Sequence, residues 1–498
     1  MKKVWIFLLL LTCISTFAAC DGGEDILSDG VYFYSLSLED NGYIVSSINI
    51  NETSREFSVP ESFRGKPVKG IGSSVFSCMP QTEKVILPDS IEYIDDYAFQ
   101  DCAALKTVVF SKNLKTIGDS AFTGCTSLES VVIPRGCSTL EIETSAFSGC
   151  TNLQTVSLPK QMDSIGNGAF AYCTSLQSLS MPTRMNSLGE GVFRGCTSLS
   201  SLTIPEGVQK VSAELCSDSS VSSITLPDSL SKIEALFTLV PSGFAECENL
   251  QEICVGAGNP HFNCVDGVLY SEDGKTLIQY PPRLQGEHFA VPETVKNIAS
   301  NAFHSNQTLV SIQLPAGLED IGALAFAGCQ RLAAIEIPHG ISYIEGSTFA
   351  YCAALTEVTL PDSVKKLCDG AFAYCTALES IVLPESIISI ADNVFDGCTA
   401  LKEINIPSRV TRIACFGNCT SLEKIVLPDA VTRIAYDAFN GCTSLKEINI
   451  PEKVKYIDER AFSGCTALQD IYIGQNVEII SGSAFENCPN LTIHRLYS

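Results

Sequence analysis

Cysteine is the residue type in this chain that can take part in the most kinds of chemistry, because its thiolate binds metals, attacks electrophiles and forms disulfides. Fourteen of the 23 cysteines recur at one position, three residues after a phenylalanine. They are Cys102, Cys125, Cys150, Cys173, Cys196, Cys247, Cys329, Cys352, Cys375, Cys398, Cys419, Cys442, Cys465 and Cys488. Asp218 and Asn306 occupy the same position elsewhere. Since Cys, Asn and Asp share a small polar group that can bond turn backbone, we interpret the position as a hydrogen-bonding ladder of reduced thiols.

Disulfide or zinc chemistry fits this spacing poorly. Side chains on neighbouring parallel strands lie about 4.8 Å apart, wider than the roughly 3.8 Å between the β carbons of a disulfide. The chain has no Cys-x-x-Cys pair, and its five histidines share no repeat position, so zinc is disfavoured. Cys254 and Cys264 could form a bridge in an oxidising compartment. No partner is evident for Cys137, Cys216, Cys368 and Cys415.

Other catalytic motifs are missing from the sequence. There is no Gly-x-Ser-x-Gly elbow, no His-Glu-x-x-His and no phosphate-binding loop. The net charge is -24, and the 32 Lys and Arg residues form no basic run, which argues against a nucleic-acid partner. The sequence therefore predicts a protein without enzymatic activity, cofactor or metal.

The recurring cysteine and the phenylalanine before it belong to a sequence repeat of 23 residues. The repeat reads AFTGCTSLESVVIP at 121–134, AFAYCTALESIVLP at 371–384 and AFSGCTALQDIYIG at 461–474. A fixed period of this length is typical of a solenoid, in which coil stacks on coil and presents a long surface. We expect about 17 coils, made mostly of short β-strands with short helical or 3-10 turns.

Strand alternation assigns the side chains within a coil. Val131 and Ile133 should point inward, while Ser130 and Val132 point outward. Pro134 lacks an amide donor and ends the strand. The phenylalanines should stack as a column through the core, which is a structural role.

The segments between repeats suggest a division of the chain. We predict a signal peptide at 1–19, a tether at 20–30, a β-rich cap at 31–72, one repeat array at 73–253, an inserted β-hairpin segment at 254–290, a second array at 291–488 and a C-terminal cap at 489–498. The insertion, with its turn near Glu272, is expected to leave the solenoid and rejoin it.

Two resemblances extend this interpretation. The unit L-x-x-I-x-L-P-x-x-V-x-x-I-G-x-x-A-F-x-x-C, over about residues 73–488, resembles the BspA-like (Treponema pallidum-type) leucine-rich repeat. That family implies a right-handed leucine-rich repeat solenoid on a bacterial surface, and its members are often proposed to be adhesins for host matrix proteins, other cells or glycans. Ala18-Ala19-Cys20, after a short apolar segment, looks like the lipobox of bacterial lipoproteins, which implies acylation of Cys20.

These features lead to a function hypothesis with open alternatives. We predict a secreted, lipid-anchored protein, on the outer membrane facing the cell exterior, that binds an extracellular protein or glycan in an adhesin-like manner. The candidate binding face is a set of outward hydroxyl residues: Ser130, Thr155, Ser157, Ser178, Ser180, Ser201, Thr203, Ser223 and Thr225. After the insertion the same columns become acidic or amide. Ser and Thr also simply suit an exposed strand. Glycan capture, which favours aromatic side chains, and a structural spacer without a ligand are the alternatives.

Overall fold

The computed structural model describes residues 27–37, 41–49, 51–234, 244 and 246–496. Within these residues the chain is a β-solenoid of about 19 turns, which confirms the predicted architecture. The count exceeds 17 because Tyr280 supplies a further core ring within the insertion and a final strand begins one more turn. The predicted signal peptide and Cys20 lie outside the described residues.

Each turn of the solenoid contributes one strand to a first wall. In three-residue strands such as Ser130–Val132, the central residue points inward, as alternation predicts. The first wall contains β3 (Glu56–Ser58), β6 (Lys84–Ile86), β8 (Thr107–Val109), β10 (Ser130–Val132), β12 (Thr155–Ser157), β14 (Ser178–Ser180), β16 (Ser201–Thr203), β18 (Ser223–Leu226), β20 (Glu252–Val255), β24 (His288–Ala290), β26 (Ser311–Gln313), β28 (Ala334–Glu336), β30 (Glu357–Thr359), β32 (Ser380–Ile381), β34 (Glu403–Ile404), β36 (Lys424–Ile425), β38 (Glu447–Ile448), β40 (Asp470–Ile473) and β42 (Thr492–Arg495).

A second wall follows the turn that contains a proline in most repeats. It contains β5 (Lys66–Ile71), β7 (Tyr93–Ile94), β9 (Thr116–Ile117), β11 (Glu141–Ile142), β13 (Gln161–Ile165), β15 (Arg184–Leu188), β17 (Lys210–Ser212), β19 (Lys232–Glu234), β23 (Thr276–Gln279), β25 (Asn297–Ile298), β27 (Asp320–Ile321), β29 (Tyr343–Ile344), β31 (Lys366–Leu367), β33 (Ser389–Ile390), β35 (Arg412–Ile413), β37 (Arg433–Ile434), β39 (Tyr456–Ile457) and β41 (Ile479–Ile480). Pairing between consecutive coils is parallel in both walls.

At the N-terminal end of the solenoid, β1 (Tyr32–Leu36), β2 (Tyr43–Ile48) and β4 (Ser62–Phe63) extend the second wall. β1 pairs with β2 antiparallel, and β2 pairs with β5 parallel. The rings of Tyr34 and Phe63 stack at 4.1 Å. These strands cover the N-terminal edge of the sheet, which would otherwise offer unpaired backbone groups.

The third side of each coil is a hydrogen-bonded turn, and no helix occurs in the described part of the chain. This corrects the expectation of short helical or 3-10 turns. The amide of Cys102 donates to the carbonyl of Phe99, and that of Leu105 donates to Cys102. Within the first of these two turns, Asp101 has a φ of 56°. A left-handed residue at this position stops the turn from continuing as a helix.

Phenylalanines form the core of the turn side. Phe99 and Phe122 stack with centroids 4.8 Å apart and ring planes 5° from parallel, and Phe349 and Phe372 stack at 5.3 Å. These four rings are fully buried, and the burial of each contributes roughly 1.5 to 3 kcal/mol of apolar transfer free energy. The predicted structural role of the column is confirmed.

The insertion is built into the solenoid and does not leave it, contrary to expectation. β21 (Phe262–Val265) and β22 (Val268–Ser271) form one antiparallel hairpin, and β22 pairs antiparallel with β23. β23 then pairs parallel with β25 of the second wall, and Tyr280 stacks on Phe303 at 5.2 Å. The insertion therefore supplies a coil of its own, because its apolar residues join the core.

Candidate binding face

The nine predicted hydroxyl residues lie on the outer surface of the first wall. Six of them are exposed and three are half-buried, whereas the central residue of β10, Val131, is fully buried. Alternation along each strand is the cause, since successive side chains point to opposite faces. Each hydroxyl can donate and accept a hydrogen bond, so the face offers many uncharged polar contacts.

Hydrogen bonding divides these residues into two groups. In the first sheet, β10, β12 and β14 align Ser130 with Thr155 and Thr155 with Ser178. Ser157 and Ser180 form a second row of the same sheet. A separate sheet of β16, β18 and β20 carries the remaining four: Ser201, Thr203, Ser223 and Thr225.

The second sheet continues beyond the residues that the sequence suggested. Ser223 aligns with Glu252, and Thr225 aligns with Cys254. The Cys254 thiol lies 3.4 Å from a carboxylate oxygen of Glu252. The hydroxyl rows therefore end at a carboxylate and a half-buried thiol. The alternation of the segment EICV could have revealed this, since it repeats the pattern of SITL at 223–226.

The cysteine ladder is confirmed for thirteen of its fourteen members. Each donates its S–H to the carbonyl of the phenylalanine one coil earlier, as Cys102 does to Phe76 at 2.9 Å and Cys398 to Phe372 at 3.2 Å. Asn306 fills the position equivalently, since its amide donates to Pro282 and its oxygen accepts from the Leu309 amide. Burial raises the pKa of Cys398 to about 12, so this thiol stays protonated.

Cys247 is the exception, and the prediction that it is free is wrong. It forms a disulfide with Cys216, whose Cα lies 5.4 Å away. The adjacent-coil argument does not apply, because Cys216 directly follows Leu215 and lies off the ladder position. Cys254 and Cys264 are both free thiols in this structure. Cys264 donates to the carbonyl of Ile253 at 2.6 Å, and burial raises its pKa to about 11.

Among the described residues, no group of three or more His, Cys, Asp or Glu side chains could hold a metal ion. The described part of the chain also contains no helix long and apolar enough to cross a bilayer.

The coils share three features: two walls of strands, a turn side with a phenylalanine column, and an inward leucine. Together these features define a leucine-rich repeat protein. The model of the BspA type leucine rich repeat region matches residues 51–141, 138–251, 285–402 and 365–492. The chain belongs to this family. Leucine-rich repeat proteins are typically non-enzymatic scaffolds that bind protein ligands.

Solved structures share the fold. A leucine rich cell surface protein from Faecalibacterium prausnitzii is 24% identical, with a TM-score of 0.50, over 86% of this chain and 95% of that one. A leucine-rich repeat protein from Bacteroides ovatus is 22% identical, with a TM-score of 0.49, over 96% of this chain and 100% of that one. The pneumococcal vaccine antigen PcpA is 21% identical, with a TM-score of 0.45, over 96% and 99%. No curated protein sequence matches the chain.

Proposed function

We propose that the protein is a non-enzymatic, adhesin-like surface lipoprotein whose first wall binds an extracellular protein. The observation that carries the proposal is the alignment of outward hydroxyl residues in β10, β12 and β14, repeated in β16 and β18. Neighbouring coils place equivalent side chains about 4.8 Å apart. A rigid surface of this kind suits a large partner that makes many weak contacts.

A screen of the intact protein against immobilised matrix proteins tests this function. Saturable binding to a matrix protein, with no comparable binding to a glycan array, is the expected result. Saturable binding to a glycan alone would favour glycan capture. Binding to neither would leave the protein as a spacer and contradict the proposal.

Attachment to the membrane is a separate part of the proposal. Cys20 would carry the lipid, and the mature protein would face the cell exterior. Replacing Cys20 with serine should abolish lipid incorporation and shift the protein out of the membrane fraction. Unchanged processing and fractionation of the Cys20→Ser variant would show that the anchor is not a lipid on this residue.

A further inference from the structure

The first wall after the insertion has a different surface, with apolar side chains exposed at regular intervals. Val382 is 77% exposed, Val426 is 62% exposed and Tyr472 is 54% exposed. Each occupies the outward position after the inward isoleucine of its strand segment, and consecutive members lie two coils apart. A coil with asparagine in the same position separates them: Asn405 in one case and Asn449 in the other.

The asparagines replace part of the backbone pairing between coils. In a regular coil the Ile337 amide donates to the backbone carbonyl of Thr359 in the next coil. In contrast, the Leu383 amide donates to the side-chain oxygen of Asn405 at 2.8 Å, and the Asn405 amide donates back to the Leu383 carbonyl at 2.7 Å. Asn449 makes the same two bonds to Leu427, at 2.7 and 2.8 Å. The asparagines therefore belong to the framework, and their polar groups are engaged.

Two adjoining recesses lie on the first wall in this region. One has a volume of about 1100 Å³ and includes Val382, Ile404 and Val426, while the other has about 860 Å³ and includes Val426, Ile448 and Tyr472. Ile404 and Ile448, which occupy the inward position of the asparagine coils, are only half-buried. The recesses thus join into one groove, called here the valine groove, that runs from Val382 to Tyr472 and repeats every two coils.

Each lysine that lines the valine groove is paired with a carboxylate, and Glu403 and Asp470 add two further carboxylates to the lining. Lys402 pairs with Glu379 at 2.8 Å, and Lys446 pairs with Glu423 at 2.9 Å. Lys424 pairs with Glu447 at 2.5 Å. Because every lysine of the groove has a carboxylate partner, the groove has no cationic patch for an acidic polymer. Its ligand should carry no negative charge, and an uncharged ligand with an apolar group at each repeat meets this condition.

The repeat distance distinguishes between uncharged ligands. Two coils advance about 9.6 Å along the wall, and one turn of a polyproline II helix advances about 9.3 Å, with three residues. From Val382 to Tyr472 the wall advances by four coils, and a polyproline II helix covers nearly the same length in two turns. The two lengths differ by less than about 1 Å. Sugars, in contrast, favour aromatic platforms and free polar groups, and among the lining residues only Tyr472 is aromatic.

We propose that the valine groove binds an uncharged polypeptide segment in the polyproline II conformation, with one apolar side chain of each turn against Val382, Val426 and Tyr472. Such segments are preorganised, so binding loses little conformational entropy. Known modules bind them in aromatic-lined grooves, and in the valine groove Tyr472 supplies the aromatic contact beside two valines. This site is independent of the hydroxyl rows before the insertion and does not depend on their function.

A fluorescence polarisation assay with the full chain tests the valine groove. The probe is a labelled twelve-residue polyproline peptide, with a twelve-residue Gly-Ser peptide as the flexible control. Polyproline should bind saturably, and the Gly-Ser peptide should not. Val426→Glu should weaken polyproline binding by about tenfold or more, because it introduces a charge at the centre of the groove.

Val132 provides a matched control. It occupies the same strand position before the insertion and is 59% exposed, so Val132→Glu should leave polyproline binding unchanged. Tyr472→Ala, which adds no charge, should weaken binding by several fold. The proposal is overturned if polyproline does not bind, or if Val426→Glu and Val132→Glu bind it equally. It is also overturned if a β-linked glucan hexasaccharide binds in a Val426-dependent manner and polyproline does not.

Discussion

Leu269 and Tyr270 are neighbours in β22, yet their side chains belong to different hydrophobic cores. Leu269 packs in the core of the first array, together with Ile253 and Leu250. Tyr270 packs in the core of the second array, together with Tyr280 and Phe303. Both side chains are at most 5% exposed. The inserted strand is therefore the joint between two stacks of coils, because successive residues of a strand point to opposite sides.

This joint makes the insertion a determinant of stability. Leu269→Ala should lower the free energy of unfolding by about 2 to 5 kcal/mol, because it leaves a cavity in a fully buried position. Denaturant unfolding followed by circular dichroism measures the change. Leu36→Ala is the control, since Leu36 is 51% exposed and should change stability by less than about 0.5 kcal/mol. Equal effects of the two substitutions would contradict the assignment of β22 to the core.

Cysteine pairing should be selective. Peptide mapping without reductant should find Cys216 linked to Cys247 and should find Cys375 and Cys398 as free thiols. The linked pair is 31 residues apart, so replacing both members with serine should lower stability by about 2 to 4 kcal/mol. A disulfide between Cys375 and Cys398 would show that the ladder geometry is wrong.

The ladder position should accept a polar group and resist an apolar one. Cys398→Asn should be nearly neutral, because Asn306 already fills the position in another coil with its hydrogen bonds made. Cys398→Leu should cost roughly 1 to 3 kcal/mol, since the Phe372 carbonyl loses its donor. Thermal unfolding of the two variants side by side gives the comparison. A leucine variant as stable as the asparagine variant would remove the hydrogen-bonding explanation.

Stability should depend on pH through Asp396. Burial raises the pKa of this carboxyl to about 6, whereas an unfolded aspartate titrates near 3.9. The folded state therefore binds more protons between about pH 4 and 6, and stability falls as the pH rises through this window. In Asp396→Asn the side-chain oxygen still accepts from the Gly417 amide, which lies 2.8 Å from the Asp396 carboxylate.

Melting temperatures at pH 4.5 and 7 test this dependence. Asp396→Asn should be at least as stable as the parent at pH 7 and should show a flatter profile, while Asp429→Asn, at an exposed site, should follow the parent. A loss of stability in Asp396→Asn at pH 7 would mean that the carboxylate is favourable where it lies.

Several features followed from the sequence because they depend on local alternation and on the period. The outward placement of Ser130 and Thr155 is one, and the phenylalanine column is another. Tyr280 was missed because the insertion changes the residue count from Phe244 onward. The bond between Cys216 and Cys247 was missed because it follows no repeat spacing. The break between β14 and β16 was missed because side-chain alternation does not encode which neighbouring strands are hydrogen-bonded.

The most direct test of the central claim compares two folded variants for binding to the matrix protein found in the screen. One variant replaces Ser157, Ser180, Thr203 and Thr225 with lysine on the first wall. The other replaces four exposed residues of the second wall, Glu141, Arg184, Lys210 and Lys232, with residues of opposite charge. The account predicts that the first variant loses binding by about tenfold or more and that the second binds as the parent does. Unchanged binding by the first variant would contradict the account and place the receptor surface elsewhere.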